Sequence, residues 1–220
     1  GQRQFDPDSR FRADRERRQN PVGRHRQARL TAMMTASATA SMEWLFEKAL
    51  RDNSVLGPED NCAVRIMADM PPPVESATRQ LVVLNISSYV FRIVALFDFD
   101  TAAPTAAHFA KLVHRSETLE KQALLDAFGE FANRVCGEVN RGLSANFRHV
   151  GMSTPFALES TCLGYLSVLN PSQMSSFEVD INDALRFDVI ICICVDSETS
   201  LDFHVDRSAQ EEISGELELF

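Results

Sequence analysis

No stretch of this chain approaches the roughly 18 consecutive apolar residues that a membrane-spanning helix needs. Its most apolar run, Val189-Ile190-Ile191-Cys192-Ile193-Cys194-Val195, is the length of a buried strand. The five cysteines (Cys62, Cys136, Cys162, Cys192 and Cys194) contain no Cys-x-x-Cys pair, and their number is odd. Cys192 and Cys194 share one face of a strand, where neighbours rarely bridge. Reduced, buried thiols in a cytoplasmic protein are therefore expected. His108 and His114, six apart on one helix, do not share a face, so they form no zinc motif. There is no Gly-x-Ser-x-Gly elbow, Gly-rich phosphate loop or dinucleotide fingerprint. Nor is there a repeat at solenoid periods.

What the chain does have is charge, unevenly placed. Overall it carries −9, yet residues 1–30 hold nine arginines against Asp6, Asp8, Asp14 and Glu16, a local balance of +5 over a remainder of −14. The first segment lacks the continuous apolar core of a secretory signal, and Met33, Met34 and Met42 are alternative starts. Its composition predicts a disordered basic arm over 1–40. Without interleaved aromatics, and joined to an acidic body that repels phosphates, the arm is a poor nucleic-acid binder. An ordinary hydrophobic content of 45% over 220 residues suits one well-buried domain with extensions. That domain is expected over 41–206, with an acidic tail over 207–220.

Within the domain, Ser41 is read as the cap of a helix ending near Asn53, ahead of Gly57-Pro58. Cys62 to Met67 reads as a strand, Pro71-Pro72-Pro73 as a break, and Gln80 to Ser87 with Tyr89 to Phe97 as a hairpin. A short helix capped by Thr101 or Thr105 runs to Val113. A long one follows from about Thr118 to about Asn146. Strands are then expected at Ser153 to Leu158, Cys162 to Leu169, Leu185 to Val195 and Ser200 to Val205. Strands adjacent in sequence imply a largely antiparallel sheet with helices on it, an α+β arrangement.

The long helix is the informative element. Leu124, Ala127, Phe128, Phe131, Val135, Val139 and Leu143 recur at spacings of three and four, the stripe of one buried face. Asp126, Glu130, Asn133, Arg134, Gly137 and Arg141 fall on the other side. Glu130 and Asn133, three apart, stand together on that surface. Gly137 lies one turn further on. A glycine inside a helix costs about 1 kcal/mol relative to alanine, which is explained if something approaches the backbone there. Taken without any relative, the same residues fit a solvated helix face, with Glu130 and Arg134 as an ordinary i, i+4 pair.

The run Ala127-Phe128-Gly129-Glu130-Phe131-Ala132-Asn133-Arg134-Val135-Cys136-Gly137, followed by Met152-Ser153-Thr154-Pro155, resembles the signature of the CheX-type chemotaxis phosphatases, relatives of CheC and FliY. The resemblance extends more weakly from about Ser41 to about Val205. It implies a CheX-like fold with two long helices over a sheet. It also implies a substrate: a phosphorylated CheY-like receiver domain, which brings its own Mg²⁺, so the chain needs no cofactor. Asn133 would then be catalytic, its carbonyl accepting from the attacking water and its amide donating to a phosphoryl oxygen without adding negative charge. Glu130 would pair with a receiver lysine and fix register. Gly137 would allow close approach, and Arg134 and Arg141 would touch the acidic rim of the receiver's pocket.

CheC-like relatives carry two such helices. Here the helix from Thr105 to His114 has no Glu-x-x-Asn, so a single site per chain is expected, and the CheX branch adds a homodimer. A domain that keeps fold and motif can also serve only as a docking module, which leaves a non-catalytic adaptor as the alternative. Elsewhere, Asp202, His204 and Asp206 alternate along one strand face. They read as a solvent face opposite Leu201, Phe203 and Val205 rather than a metal site. No metal-binding residue is assigned.

Overall fold

The computed structural model describes residues 33–70, 78–114, 119–196 and 199–207. The chain divides between Leu30 and Thr31, and the account below concerns the second unit. The expected arm up to residue 32, Pro71-Pro72-Pro73 and the tail from 208 lie outside the described residues.

In chain order the elements are β1 (Met33–Met34), α1 (Ala36–Ser54), β2 (Cys62–Met67), β3 (Arg79–Ser87), β4 (Phe91–Asp100), α2 (Ala103–Leu112), α3 (Lys121–Ser144), β5 (Gly151–Met152) and β6 (Phe156–Glu159). A 3₁₀ helix (Ser160–Leu169), β7 (Gln173–Ile181), β8 (Leu185–Val195) and β9 (Ser200–Leu201) follow. Seven strands form one antiparallel sheet in the order β2-β7-β8-β4-β3-β5, with β6 also paired to β3. A separate parallel pair joins β1 to β9. This is the expected α+β architecture. Among the described residues no helix is long and apolar enough to cross a membrane.

Strand alternation divides the sheet into two buried faces. Phe187, Val189, Ile191 and Ile193 of β8, with Phe97 and Phe99 of β4, face the helices. Ile190 and Cys192, with Leu81, Val83, Val94 and Leu96, face Leu163 and Leu166 of the 3₁₀ helix. Covered on both faces, β8 reads as an unbroken apolar run. The two long helices run side by side and meet through Leu45 and Gly142. Glu138 of α3 accepts from Lys48 Nζ (2.9 Å) and Asn53 Nδ2 (3.0 Å) of α1. All five cysteines are free thiols.

Four expectations need correction. The first long helix begins at Ala36, capped by Thr35, whose hydroxyl accepts from Ala38 N and donates to Asp202 Oδ1 at 2.7 Å. Ser41 is buried inside that helix instead, and its Oγ accepts from Val205 N at 3.1 Å. Neither Thr101 nor Thr105 caps α2. Thr101 Oγ1 donates to Thr78 O, and Thr105 is buried. Cys162 to Leu169 is not a strand: Leu163 and Leu166 are buried while Gly164, Tyr165, Ser167 and Val168 are exposed, the three-residue period of a 3₁₀ helix. The last strand stops at Leu201, opposite Met34, where among the described residues its partner β1 gives way to the cap of α1.

β7 was not anticipated. It is buried on both faces, and Ser175 on the helix side and Ser176 and Asp180 on the other interrupt its apolar pattern. Two of them are satisfied from a distance: Ser175 Oγ donates to Glu43 Oε1 (2.7 Å), and Asp180 Oδ2 accepts from Arg186 Nε (2.7 Å). Its hairpin to β8 turns through Asn182, Asp183 and Ala184, with Asn182 and Asp183 both left-handed (φ 57° and 55°) and Ala184 N donating to Ile181 O at 3.0 Å.

Candidate functional site

The rotation of α3 about its axis is set by aromatic packing. Phe128 stacks flat on Phe99 of β4, with centroids 3.6 Å apart, and leans on Phe109 of α2 at 4.4 Å. Phe131 stands edge-on to Phe97 at 6.1 Å and to Phe187 at 5.6 Å. With this stripe inward, the helix has one orientation available, and its polar side faces out.

On that side Glu130, Arg134 and Arg141 are exposed, and Asn133 and Gly137 are half-buried. Among the described residues no hydrogen bond or ion pair engages the side chains of Glu130, Asn133, Arg134 or Arg141. The i, i+4 pair between Glu130 and Arg134 does not form, although the sequence permits it. A Cβ built at Gly137 would meet nothing within 4 Å, so the helix backbone there borders open space.

The Ser153-Thr154-Pro155 segment flanks this surface. Ser153 Oγ accepts from Asn85 N (3.0 Å) and donates to Thr154 O (3.0 Å), while Ser153 N donates to Asn85 O (2.9 Å). These bonds hold the chain to β3 where it crosses from β5 to β6. The crossing seats Pro155 against α3, 3.5 Å from where a Cβ of Gly129 would lie. Gly129 is one turn before Asn133, so the segment forms one wall beside the asparagine.

Towards its N-terminal end the same surface opens into a groove of about 500 Å³. Val113, Ala123 and Ala127 line it with Glu120, Gln122, Asp126 and Glu130. Sequence reading missed this groove because it joins the end of α2 to the start of α3. The available signal was the acidic series Glu120, Asp126, Glu130 preceding the basic pair Arg134 and Arg141.

Of the other candidates, Asp202, His204 and Asp206 are all exposed, and Asp202 is engaged by Thr35. Among the described residues no group of three or more His, Cys, Asp or Glu could hold a metal ion. Burial pushes the Cys136 thiol, on the inner face of α3, up to about 12. The same cause, with nearby Cys194 second, pushes Cys192 up to about 11.

The architecture is thus an antiparallel sheet with two long helices on one face, the longer presenting a Glu-x-x-Asn pair outward. No protein-family model matches the chain, and no curated protein matches it. Solved structures do, and one whose TM-score exceeds 0.5 gives the fold as CheX-type. It is a chain in the crystal structure of a CheX–CheY–BeF₃–Mg²⁺ complex from Borrelia burgdorferi: 14% identity, TM-score 0.51, covering 71% of this chain and 97% of that one. CheX from Vibrio vulnificus is similar at 15% identity and TM-score 0.46, covering 70% of this chain and 96% of its own. A CheC-like superfamily protein from Shewanella sp. PV-4 is similar at 12% and 0.45, covering 73% and 99%.

Proposed function

We propose that this protein accelerates hydrolysis of the aspartyl phosphate of a CheY-type response regulator. One observation carries the reading: Glu130 and Asn133 stand one turn apart on the outer side of α3, unengaged by any described residue, beside open space at Gly137. Two polar groups held on a rigid helix with no internal partner are placed for a visiting one. The likeness of the fold to a chain from a CheX–CheY complex supports the choice of visitor.

In this reading the receiver supplies the phosphoryl group and its Mg²⁺, and α3 docks across them. The Asn133 carbonyl accepts a hydrogen bond from a water in line with the phosphorus, and its amide donates to a phosphoryl oxygen. The water oxygen bonds to phosphorus as the bond to the aspartate oxygen breaks. The aspartate leaves as carboxylate, and the water's protons end on phosphate and solvent. Asparagine orients without removing a proton, so the gain comes from positioning. Glu130 pairs with a receiver lysine and fixes the register. Arg134 and Arg141 meet acidic groups on the receiver, and Gly137 keeps the helix close. A homodimer and a cytoplasmic setting belong to the same reading.

The test is to phosphorylate a receiver from the same genome and time its loss of phosphate with and without this protein. Asn133→Ala should lose the acceleration by about 10²-fold with the fold intact. Glu130→Ala should raise KM more than it lowers kcat. Asn133→Ala activity equal to the parent's overturns the reading. Binding with no change in rate favours the adaptor alternative, which the same outward face would serve.

A further inference from the structure

The outer face of α3 is divided by charge along its length. Glu120 at the N-cap, Asp126 and Glu130 outnumber Lys121 in the N-terminal half, Arg134 and Arg141 stand in the C-terminal half, where Glu138 is turned to α1, and Asn133 lies at the boundary. The acidic half is also concave. Its groove of about 500 Å³ has Val113, Ala123 and Ala127 in the lining, with the carboxylates spread around them. Lys111 lies in the last turn of α2 and Lys121 opens α3, yet no ion pair joins either to those carboxylates among the described residues.

We propose that this groove receives a lysine- or arginine-bearing segment of the same partner that Asn133 acts on, a contact additional to the one made by Glu130. The inference rests on the reading in the preceding subsection. Three properties choose the occupant. The carboxylates do not converge: no group of three among the described residues could hold a metal ion, so a point charge is a poor fit. The apolar lining suits the methylene stem of a long cationic side chain, which buries its carbons and keeps its charged head at a polar edge. Finally, the groove is continuous with the proposed site, because Glu130 lines it. Gln122 Nε2 donates to Asp126 Oδ1 at 3.1 Å, leaving Oδ2 open to a partner.

The division of charge then fixes the direction of docking. A partner presenting cations at one end of its contact surface and anions at the other fits α3 in a single sense, and the reversed sense sets like charges together. Selection among similar receivers would lie in the groove, and the chemistry would lie at Asn133.

The test uses the full chain and a panel of phosphorylated receivers from the same genome. Asp126 is exposed on the helix and Glu120 is exposed at its N-cap, and circular dichroism checks that Asp126→Lys and Glu120→Gln fold. The expected result for Asp126→Lys is a KM raised about three- to tenfold with kcat within twofold, and a shallower salt dependence of kcat/KM. Glu120→Gln should give a smaller shift in the same direction. An unchanged KM in both variants, with Asn133→Ala inactive, overturns the groove and leaves the phosphatase reading standing. If the parent accelerates nothing, that reading fails by itself. The groove is then judged by calorimetric titration with the beryllofluoride-activated receivers: affinity unaffected by Asp126→Lys, or no binding at all, overturns it.

Discussion

Gly142 and Leu45 meet where α3 and α1 pack together. A Cβ at position 142 would lie 2.5 Å from Leu45 Cδ2, and Leu45 is buried. At Gly137, five residues earlier on the same helix, a Cβ would meet nothing. The two glycines therefore predict opposite outcomes. Gly142→Ala forces a buried leucine to move, an overpacking cost of about 1–3 kcal/mol that outweighs the ~1 kcal/mol gained from helix propensity. Thermal unfolding should show net destabilisation. Gly137→Ala should stabilise by up to ~1 kcal/mol while raising KM for a phosphorylated receiver, because its methyl enters the docking surface. A Gly137→Ala protein that is both more stable and fully active would remove the argument for close approach there.

Arg79 holds two carboxylates on the sheet face away from the long helices. Its guanidinium reaches Asp98 Oδ2 at 2.9 Å and Asp188 Oδ2 at 3.0 Å, and Ser160 Oγ donates to Asp98 Oδ1 at 2.7 Å. Asp98 is buried and Arg79 largely so. Burial, opposed by Arg79, moves the Asp188 carboxyl above the usual carboxylate range. Arg79→Ala leaves the buried Asp98 with Ser160 as its remaining side-chain partner, and denaturant unfolding should register a loss of about 3–5 kcal/mol. A loss below ~1 kcal/mol would mean that water already reaches the pair.

His108 ties α2 to the end of α1: its Nε2 donates to Ser54 O at 2.9 Å, so the neutral ring carries its proton on Nε2. Burial, the largest cause, holds its pKa below the ordinary 6.5, although the Ser54 carbonyl and Asp60 oppose the shift. The unfolded chain therefore binds a proton more readily than the folded one. Stability is full above about pH 6.5 and falls as pH drops through the window below it. In His108→Gln the thermal midpoint should vary less between pH 7 and 5 than in the parent. Parallel profiles would show that other groups set the dependence.

Thiol labelling of the native protein at pH 8 should spare Cys136 and Cys192, held protonated by burial, and reach the half-buried Cys162 and Cys194 sooner. Denatured protein should label at all five. Early loss of Cys136 would indicate that α3 lifts from the sheet.

How much of this was legible beforehand depended on where each element finds its partners. The α3 stripe was visible because its determinants are three and four residues apart, and β8 because burial on both faces leaves it uniformly apolar. β7 was hidden because Ser175 is satisfied by Glu43, 132 residues away. The start of α1 was misplaced for a similar reason, since Thr35 is anchored by Asp202 from the far end of the domain. At the candidate site, spacing alone put Glu130 and Asn133 on one exposed turn, but only the resemblance gave them a task. The groove beside them was out of reach of any local pattern.

The division of labour on α3 has an evolutionary consequence. Everything that locks this helix to the sheet lies on its inner stripe, in Phe128, Phe131 and their neighbours. Positions 126, 130, 133, 134, 137 and 141 contribute little to that anchorage, so they can diversify almost without penalty to folding. If the proposed function holds, a lineage carrying this domain could retarget it to a new receiver by drift at the outward positions around Asn133, which the chemistry would hold fixed. A randomised library at those sites should yield mostly folded members.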